Sequence, residues 1–422
     1  MSQTKKIKHL LSSTNSRTLV SNFIYLSLLK AASFVFGLVT LPYLAHVIGT
    51  DYFGAIAFAT AIMALAETVT DWGFNYTATR DVAVVREDPD KVSKIYSEVF
   101  FAKLILMVVS LIILLAIIYL IPSLAPYRLL LILTFLYIPG QIMLPDWLFQ
   151  AFEKMKCITI LNIVAKGIFT LLIFIVIRHA SDYIFQPLLN AAGFIISGII
   201  AQYIIFRYLK IRLSLPSPES VIRRIKTSTN MFISLIMPNL YSNFSTIILK
   251  AYCGDFATGI YSGGQRFQQI LDQLTTILSR TFFPFLARNK DKHHIYVRIS
   301  GSIAVGASLM MFFGAELFVK IFLSPEFSDS IIVIKIFSIS PIFSFLMNTY
   351  GTNYLVLNNK EYILRNIIIV VSLIGFILTW ILTPRFSYIG AALTITLTWG
   401  IRGFVTLYYA KKEAHSPQDK TC

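Results

Sequence analysis

Basic side chains inside long apolar segments are the residues of this sequence best suited to chemistry. Nine lysines and arginines occupy such positions: Lys30, Lys103, Lys166, Lys250, Arg266, Arg280, Lys320, Lys335 and Arg402. A charge at the centre of a bilayer costs roughly 2.5–3.5 kcal/mol, so we expect these side chains to face a water-filled cavity or to pair with acids. Guanidinium groups bind phosphate bidentately, and ammonium groups add a point charge. The pattern predicts a cavity for an anionic cargo.

Polar residues at helical spacing identify the side chains that would line this cavity. The stripe from Arg266 to Arg280 covers an arc of about 80° and about 21 Å of helix. The predicted cargo-binding residues are Lys30, Lys250, Arg266 and Arg280, together with the polar side chains Asn243, Gln269 and Gln273. Two alternatives stay open. Amides in membrane helices also bond to neighbouring helices, and basic groups near span ends, such as Lys250 and Arg280, also extend to the interface.

Three acids, Glu67, Asp71 and Asp272, also lie inside apolar segments. Desolvation and nearby cations have opposite effects on the pKa of such an acid, so its protonation can change when cargo leaves. We predict these acids as candidates for coupling transport to protons or sodium ions; the alternative is that they only neutralise neighbouring lysines and arginines. The sequence contains no Cys/His cluster and no glycine-rich phosphate loop. It therefore predicts no metal, no cofactor and no enzymatic site.

The elements that position these residues are membrane helices. Of the 422 residues, 56% are hydrophobic and 14% are charged, against about 25% charged in soluble proteins. The predicted spans are 20–45, 53–78, 95–121, 128–150, 158–177, 185–206, 227–250, 260–287, 299–323, 331–356, 366–383 and 390–410. The sequence therefore predicts an all-α polytopic membrane protein with twelve transmembrane helices. The pair Asp146-Trp147 is interpreted as an interface anchor, and Pro238 is expected to bend the seventh span.

Lysine and arginine are concentrated at the N-terminus, in the even-numbered loops and at the C-terminus, and are nearly absent from the odd-numbered loops. By the positive-inside rule, both termini are expected in the cytoplasm. The net charge of +16 is thus a topology signal. Scattered over short loops, it does not predict a nucleic-acid partner.

The chain is predicted to form two related halves. These are a six-helix lobe at 1–206, a basic cytoplasmic linker at 207–226, a second six-helix lobe at 227–410 and a cytoplasmic tail at 411–422. A shift of 205 positions places Gly49 on Gly254, Gly54 on Gly259 and Glu67 on Asp272. Because each half has six spans, the repeat is parallel, and a central cavity is expected between the lobes.

The run DWGFNYTATRD at 71–81 resembles the N-terminal signature of the Wzx-type O-antigen flippases of the polysaccharide transporter family. The segments PYLA at 42–45 and WLFQ at 147–150 are similar to the same family, and the resemblance covers essentially the whole chain.

The resemblance implies the fold of the multidrug/oligosaccharidyl-lipid/polysaccharide exporters. It also implies transfer of an undecaprenyl-pyrophosphate-linked oligosaccharide to the periplasmic leaflet of the bacterial inner membrane, for lipopolysaccharide O-antigen or a related glycan. Polymerase and chain-length proteins of that pathway would be partners. In related lipid II flippases, basic residues of the first and eighth helices hold the pyrophosphate; Lys30 and Arg266 occupy similar places.

Two other functions stay open. One is a cation-coupled multidrug exporter of the same fold, which the many basic cavity residues do not favour. The other is a membrane glycan polymerase or ligase, which would need acids or histidines on substantial outer loops; the predicted outer loops are all short.

Overall fold

The computed structural model describes residues 14–288 and 292–414, and within these ranges every regular element is helical. The α-helices are α1 (Thr14–Asp71), α2 (Phe74–Val85), α3 (Pro89–Leu120), α4 (Arg128–Phe135), α5 (Tyr137–Met143), α6 (Asp146–Ala151), α7 (Met155–Val176), α8 (Phe185–Arg207), α9 (Pro218–Asn239), α10 (Ser242–Arg288), α11 (His293–Phe322), α12 (Ser330–Phe337), α13 (Ser340–Leu346) and α14 (Glu361–Ala414). Met347–Leu355 is a π-helix, and short 3-10 helices lie at Pro122–Tyr127, Ala180–Ile184, Pro325–Phe327 and Val356–Asn358.

The prediction of an all-helical polytopic membrane protein is confirmed. By length and hydropathy, eight helical segments of the described chain can cross a membrane, or nine when the bent pair α9 and α10 is counted as one span. Of the predicted cytoplasmic tail, residues 415–422 lie outside the described ranges. The predicted linker contains the start of α9, which begins at Pro218.

The three longest helices each contain one residue with non-helical backbone angles. α1 has 58 residues and would be about 87 Å long if straight, far more than the ~30 Å of a hydrocarbon core. It breaks at Gly49 (φ 71°, ψ −178°), and α10 breaks at Gly254 (φ 84°, ψ −173°). Glycine takes these positive φ angles without a Cβ clash. α14 breaks at Ser387 (φ 52°), where the side chain makes the same turn costly.

Prolines interrupt the helical runs at two corresponding places. Pro139 follows the end of α4 at Phe135, and Pro341 follows the end of α12 at Phe337. Proline removes a backbone donor and crowds the carbonyl four residues earlier, which here is the last residue of the helix. Pro238 acts at the end of α9, where the chain turns by 44° into α10. The predicted bend at Pro238 is confirmed.

The helical runs that Pro139 and Pro341 interrupt both end in the same kind of turn. The backbone N–H of Lys154 donates to the Phe149 carbonyl at 2.8 Å, and that of Lys360 donates to the Leu355 carbonyl at 2.9 Å. The preceding residues, Glu153 and Asn359, have φ of 56° and 58°. In each case a backbone N–H donates to the carbonyl five residues earlier, and the residue just before the donor is left-handed. This is a Schellman-type helix end. Its recurrence 206 residues later is a second structural correspondence between the halves.

By their internal contacts, the helices fall into two compact units. The first contains residues 14–40, Ala66–Arg178 and Ile184–Ile233. The second contains Leu41–Leu65, His179–Tyr183 and the described residues from Ser234 onward. Phe74, Tyr96, Trp147 and Phe149 are central to the core of the first unit, and Leu355, Ile367 and Val371 belong to a core cluster in the second. The burial of these apolar side chains fixes the positions of the polar residues described below.

Candidate functional site

Two helix backbones touch at Gly54 and Gly259 within the second unit. A Cβ atom built on Gly54 would lie 2.0 Å from the carbonyl oxygen of Asp255, and one built on Gly259 would lie 2.1 Å from that of Thr50. Only glycine permits such an approach. The contact is reciprocal, because Thr50 and Asp255, like Gly54 and Gly259, are 205 positions apart. We call these four residues the glycine crossing.

Polar groups stabilise the backbone breaks beside the glycine crossing. Lys250, a predicted cargo-binding residue, forms an ion pair with Asp255 at 2.7 Å across the break at Gly254. The Thr50 backbone N–H donates to a carboxylate oxygen of Glu326 at 3.3 Å. A carboxylate at the positive end of a helix is favourable. In this structure, Lys250 is therefore engaged by an acid of its own chain.

The predicted basic residues Lys30, Arg266 and Arg280 all have exposed side chains. Lys30 lies in the first unit, and the other two lie in the second. Within residues 14–288 and 292–414, neither Arg266 nor Arg280 has a hydrogen bond or an ion pair. Their guanidinium donors are available to a ligand.

The predicted polar side chains differ in their partners. The amide of Asn243, in the first turn of α10, donates to the amide oxygen of Asn239, the last residue of α9, at 2.5 Å; it therefore bonds to a neighbouring helix, the alternative left open above. Gln269 is exposed and Gln273 is half-buried. In the described chain neither glutamine has a hydrogen-bond partner, so both can bind a polar ligand.

An acidic cavity of about 60 Å³ lies in the first unit, lined by Glu67, Asp71, Asp146, Lys103 and Thr70 among others. Lys103 donates to Asp71 at 2.8 Å, and Asp146 accepts the amide of Asn162 at 3.1 Å. Glu67 makes neither an ion pair nor a hydrogen bond with any described residue. The buried hydroxyl of Thr70 has no partner in that part of the chain either. The cavity has room for a small ion or water, which would satisfy both groups.

Asp272 has a different environment in the second unit. Its carboxylate accepts the hydroxyl of Ser344 at 2.5 Å, and that hydroxyl oxygen also contacts Thr275 at 2.8 Å and Asn348 at 3.3 Å. Arg402 is close enough to interact electrostatically with Asp272. The acid thus belongs to a hydrogen-bonded network that links three helical segments. The structure brings Glu67 and Asp71 together and places Asp272 elsewhere.

The sequence interpretation missed the docking of α9 on the 71–81 block. Trp72 stacks on Phe232 with ring centroids 3.9 Å apart, and its indole N–H donates to the Ile225 carbonyl at 3.2 Å. The hydroxyls of Thr77 and Ser228 are 2.7 Å apart. The helical spacing of residues 225, 228 and 232 was the available signal. This spacing predicts a packed face on α9, but it does not show that the face contacts the 71–81 block.

Arg224 continues this interface with two acids. One of its nitrogens lies 2.5 Å from Asp81, and another lies 2.8 Å from Glu98. The exposed fraction of the side chain is 14% for Arg224 and 6% for Glu98. Such a shielded pair is costly to break, because either partner alone would leave a buried charge.

The structure corrects one further interpretation. Trp147 is only 2% exposed and Asp146 lines the acidic cavity, so the prediction that they form an interface anchor is wrong. The described residues contain no group of three or more His, Cys, Asp or Glu that could hold a metal ion.

Comparison with known sequences gives three matches. A family described as "Polysaccharide biosynthesis protein" matches residues 19–290. A protein named "Putative O-antigen transporter" from Escherichia coli (strain K12) is 30% identical over 399 residues, covering 91% of this chain and 95% of that protein. One of the same name from Shigella dysenteriae is 24% identical over 384 residues, covering 89% and 96%.

Solved structures share the fold. The lipid II flippase MurJ in an inward closed conformation has a TM-score of 0.73 at 12% identity, covering 93% of this chain and 87% of that one. An inward-facing multidrug resistance transporter of the MATE family, in the MOP superfamily, has a TM-score of 0.68 at 12% identity, covering 92% and 96%. At this identity the likeness concerns the fold alone.

Proposed function

The chain belongs to the polysaccharide biosynthesis protein family, as its resemblance to the Wzx-type flippases predicted, and we propose that it is a lipid-linked oligosaccharide flippase. The cargo is an undecaprenyl-pyrophosphate-linked O-antigen or related unit. It passes from the cytoplasmic to the periplasmic leaflet of the bacterial inner membrane by alternating access. Polymerase and chain-length proteins of the same pathway act next, and both termini of this chain are cytoplasmic.

Twelve spans in two six-helix lobes are part of this proposal. The breaks at Gly49, Gly254 and Ser387 support it, because each divides a helix too long for one crossing. The recurrence of the proline interruption and of the Schellman-type turn supports a parallel repeat. We propose 1–206 and 227–410 as its two lobes. In such repeats, cargo binds between the halves.

The observation that carries the proposal is the environment of Arg266. Its side chain is exposed although the residue lies inside a predicted span, where a charge facing lipid would be costly. No described acid neutralises it. An unpaired guanidinium can bind a diphosphate through bidentate, charge-assisted hydrogen bonds. Lys30, in the first unit, is a second basic residue that we propose for contact with the cargo.

Replacing Arg266 by alanine is expected to reduce surface glycan at least about tenfold, because a charged contact to the diphosphate is lost. Arg266→Lys should retain part of the activity, since the charge remains but the bidentate geometry does not. The measurement is glycan display in a deletion strain that carries each variant at equal protein level.

Lys320→Ala is the matched control, because Lys320 is also an exposed basic residue inside a span. Undiminished glycan with Arg266→Ala would overturn the role of Arg266. Drug sensitivity of the deletion strain without a glycan defect would favour the multidrug exporter. Single-unit glycans at the surface would favour a polymerase.

We propose the acidic cavity as the site that couples transport to protons or sodium ions, with Glu67 as the group that binds the ion. Glu67 is chosen over Asp71 because Asp71 already neutralises Lys103. Asp272 is less suited to this role, since its carboxylate is held by Ser344.

Glu67→Gln is expected to abolish the response of transport to an imposed ion gradient while cargo binding persists, because glutamine keeps the volume but cannot ionise. Flipping of a fluorescent lipid-linked sugar in vesicles, with and without a gradient, measures this. The control is Glu316→Gln, whose carboxylate is 74% exposed. A full gradient response in the Glu67→Gln protein would exclude Glu67 as the coupling group.

A further inference from the structure

We propose that a cavity between the first three turns of α3 and of α9 binds the phosphate of a lipid headgroup, at a place separate from Arg266. This basic cavity has a volume of about 380 Å³. Its charged lining is Lys91, Lys94, Arg223, Arg224, Asp81 and Glu98. Cavities that bind small ligands commonly begin at about 300 Å³, so its size suits a headgroup.

The charges of the basic cavity do not balance. Arg224 is engaged by both acids, Asp81 and Glu98. Lys94 and Arg223 are exposed, and neither has an ion pair with any residue in 14–288 or 292–414. Lys91 has a salt bridge of 3.0 Å with Asp88. Because Arg80 also contacts Asp81, at 3.1 Å, two arginines offset the two acids, and the charges of Lys94 and Arg223 remain for an anionic ligand.

The walls of the basic cavity are fixed before a ligand arrives. α9 is held on the 71–81 block by the Trp72–Phe232 stack and by the contact between Thr77 and Ser228. A preorganised site loses less entropy when a phosphate binds.

The position indicates a lipid-borne phosphate. The basic cavity lies at the start of α3, which is long and apolar enough to cross a membrane, and of α9, which is so only together with α10; Val85 and Ile95 supply apolar surface beside the cations. Basic pockets between membrane helices are suited to anionic lipid headgroups. Two sources share this chemistry: an anionic phospholipid and the polyprenyl diphosphate of incoming cargo. The second source rests on the proposed flippase function.

The test is lipid binding by the full-length protein, purified in detergent and delipidated, followed by native mass spectrometry. The probes are cardiolipin, undecaprenyl diphosphate and, as a neutral reference, phosphatidylethanolamine. The variant Lys94→Gln/Arg223→Gln should bind at least one anionic probe about tenfold more weakly than the wild-type protein, since two charges near the headgroup are removed. Thr227→Glu, which adds a negative charge to the lining, should have a similar effect without removing a basic residue.

The matched control is Lys156→Gln/Lys226→Gln, which removes two exposed lysines that do not line the cavity. A selective loss of cardiolipin would identify a phospholipid site, and a selective loss of undecaprenyl diphosphate would identify a cargo site. Equal binding of both anionic probes by the two double variants and by Thr227→Glu would overturn the proposal. Phospholipid binding does not require transport, so this result is independent of the glycan assay.

Discussion

Alanine at Gly54 or Gly259 is expected to abolish transport. Each new Cβ would lie 2.0 or 2.1 Å from a backbone carbonyl oxygen, so the two helix backbones must separate to accept it. Backbone atoms cannot move aside as the end of a flexible side chain can. Overpacking of a well-packed site typically costs about 1–3 kcal/mol of stability, and occasionally more. A clash between two helix backbones is expected to have one of the largest costs of this kind. Thermal unfolding in detergent and glycan display in a deletion strain measure the two effects.

Gly306→Ala is the matched control for the glycine crossing. Gly306 lies within α11, and nothing lies within 4 Å of a Cβ built on it. In a helix interior this change is expected to stabilise by up to about 1 kcal/mol. The Gly54→Ala and Gly259→Ala proteins are compared with the wild-type protein in unfolding temperature and in glycan display. If both quantities are unchanged, the close approach of the two backbones at the glycine crossing is not required.

A third variant separates steric from conformational effects. Gly254 has φ 84° and no neighbour within 4 Å of a built Cβ. Alanine there should cost only backbone strain, of the order of 1–3 kcal/mol. Transport should therefore fall less with Gly254→Ala than with Gly259→Ala.

The sequence was sufficient to predict that Gly54 corresponds to Gly259, because a shift of 205 aligns them together with Gly49 and Gly254. It did not predict that the two glycines meet. A pattern along the chain gives the helix and its face, whereas a contact depends on how distant helices pack. The structural repeat is also clearer than the sequence repeat. The helix end at Phe135 recurs at Phe337, and the Schellman-type turns recur at a different shift, so no single alignment shows all of them.

The polar residues illustrate the same limit. Glu67 and Asp71 were identified from their spacing, and the structure places both in one cavity. Asp146 and Lys103 complete that cavity but come from other helices, and no periodicity connects them to Glu67. Trp147 was misinterpreted because tryptophan near a span end usually marks the interface, while here the broken helix turns the ring into the core.

Removing the charge of Arg224 is expected to have the largest effect on stability in the first unit. Arg224→Gln would leave Glu98, with 6% of its side chain exposed, without its counter-charge. Breaking a buried ion pair from one side costs about 3–5 kcal/mol. Because α9 docks on the 71–81 block beside this pair, its first turns should also detach more readily. Hydrogen exchange of residues 218–233 and thermal unfolding measure the two consequences.

Arg223→Gln is the control, because the neighbouring Arg223 is exposed and forms no ion pair with any described residue. Its unfolding should match that of the wild-type protein. The double variant Arg224→Met/Glu98→Gln should recover much of the lost stability, since it removes the buried charge as well as its partner. Asp81 tolerates the change because Arg80 still contacts it at 3.1 Å and its side chain is 27% exposed. If the double variant is no more stable than Arg224→Gln, the uncompensated Glu98 charge is not the cause. The loss would then come from the packing of the arginine side chain itself.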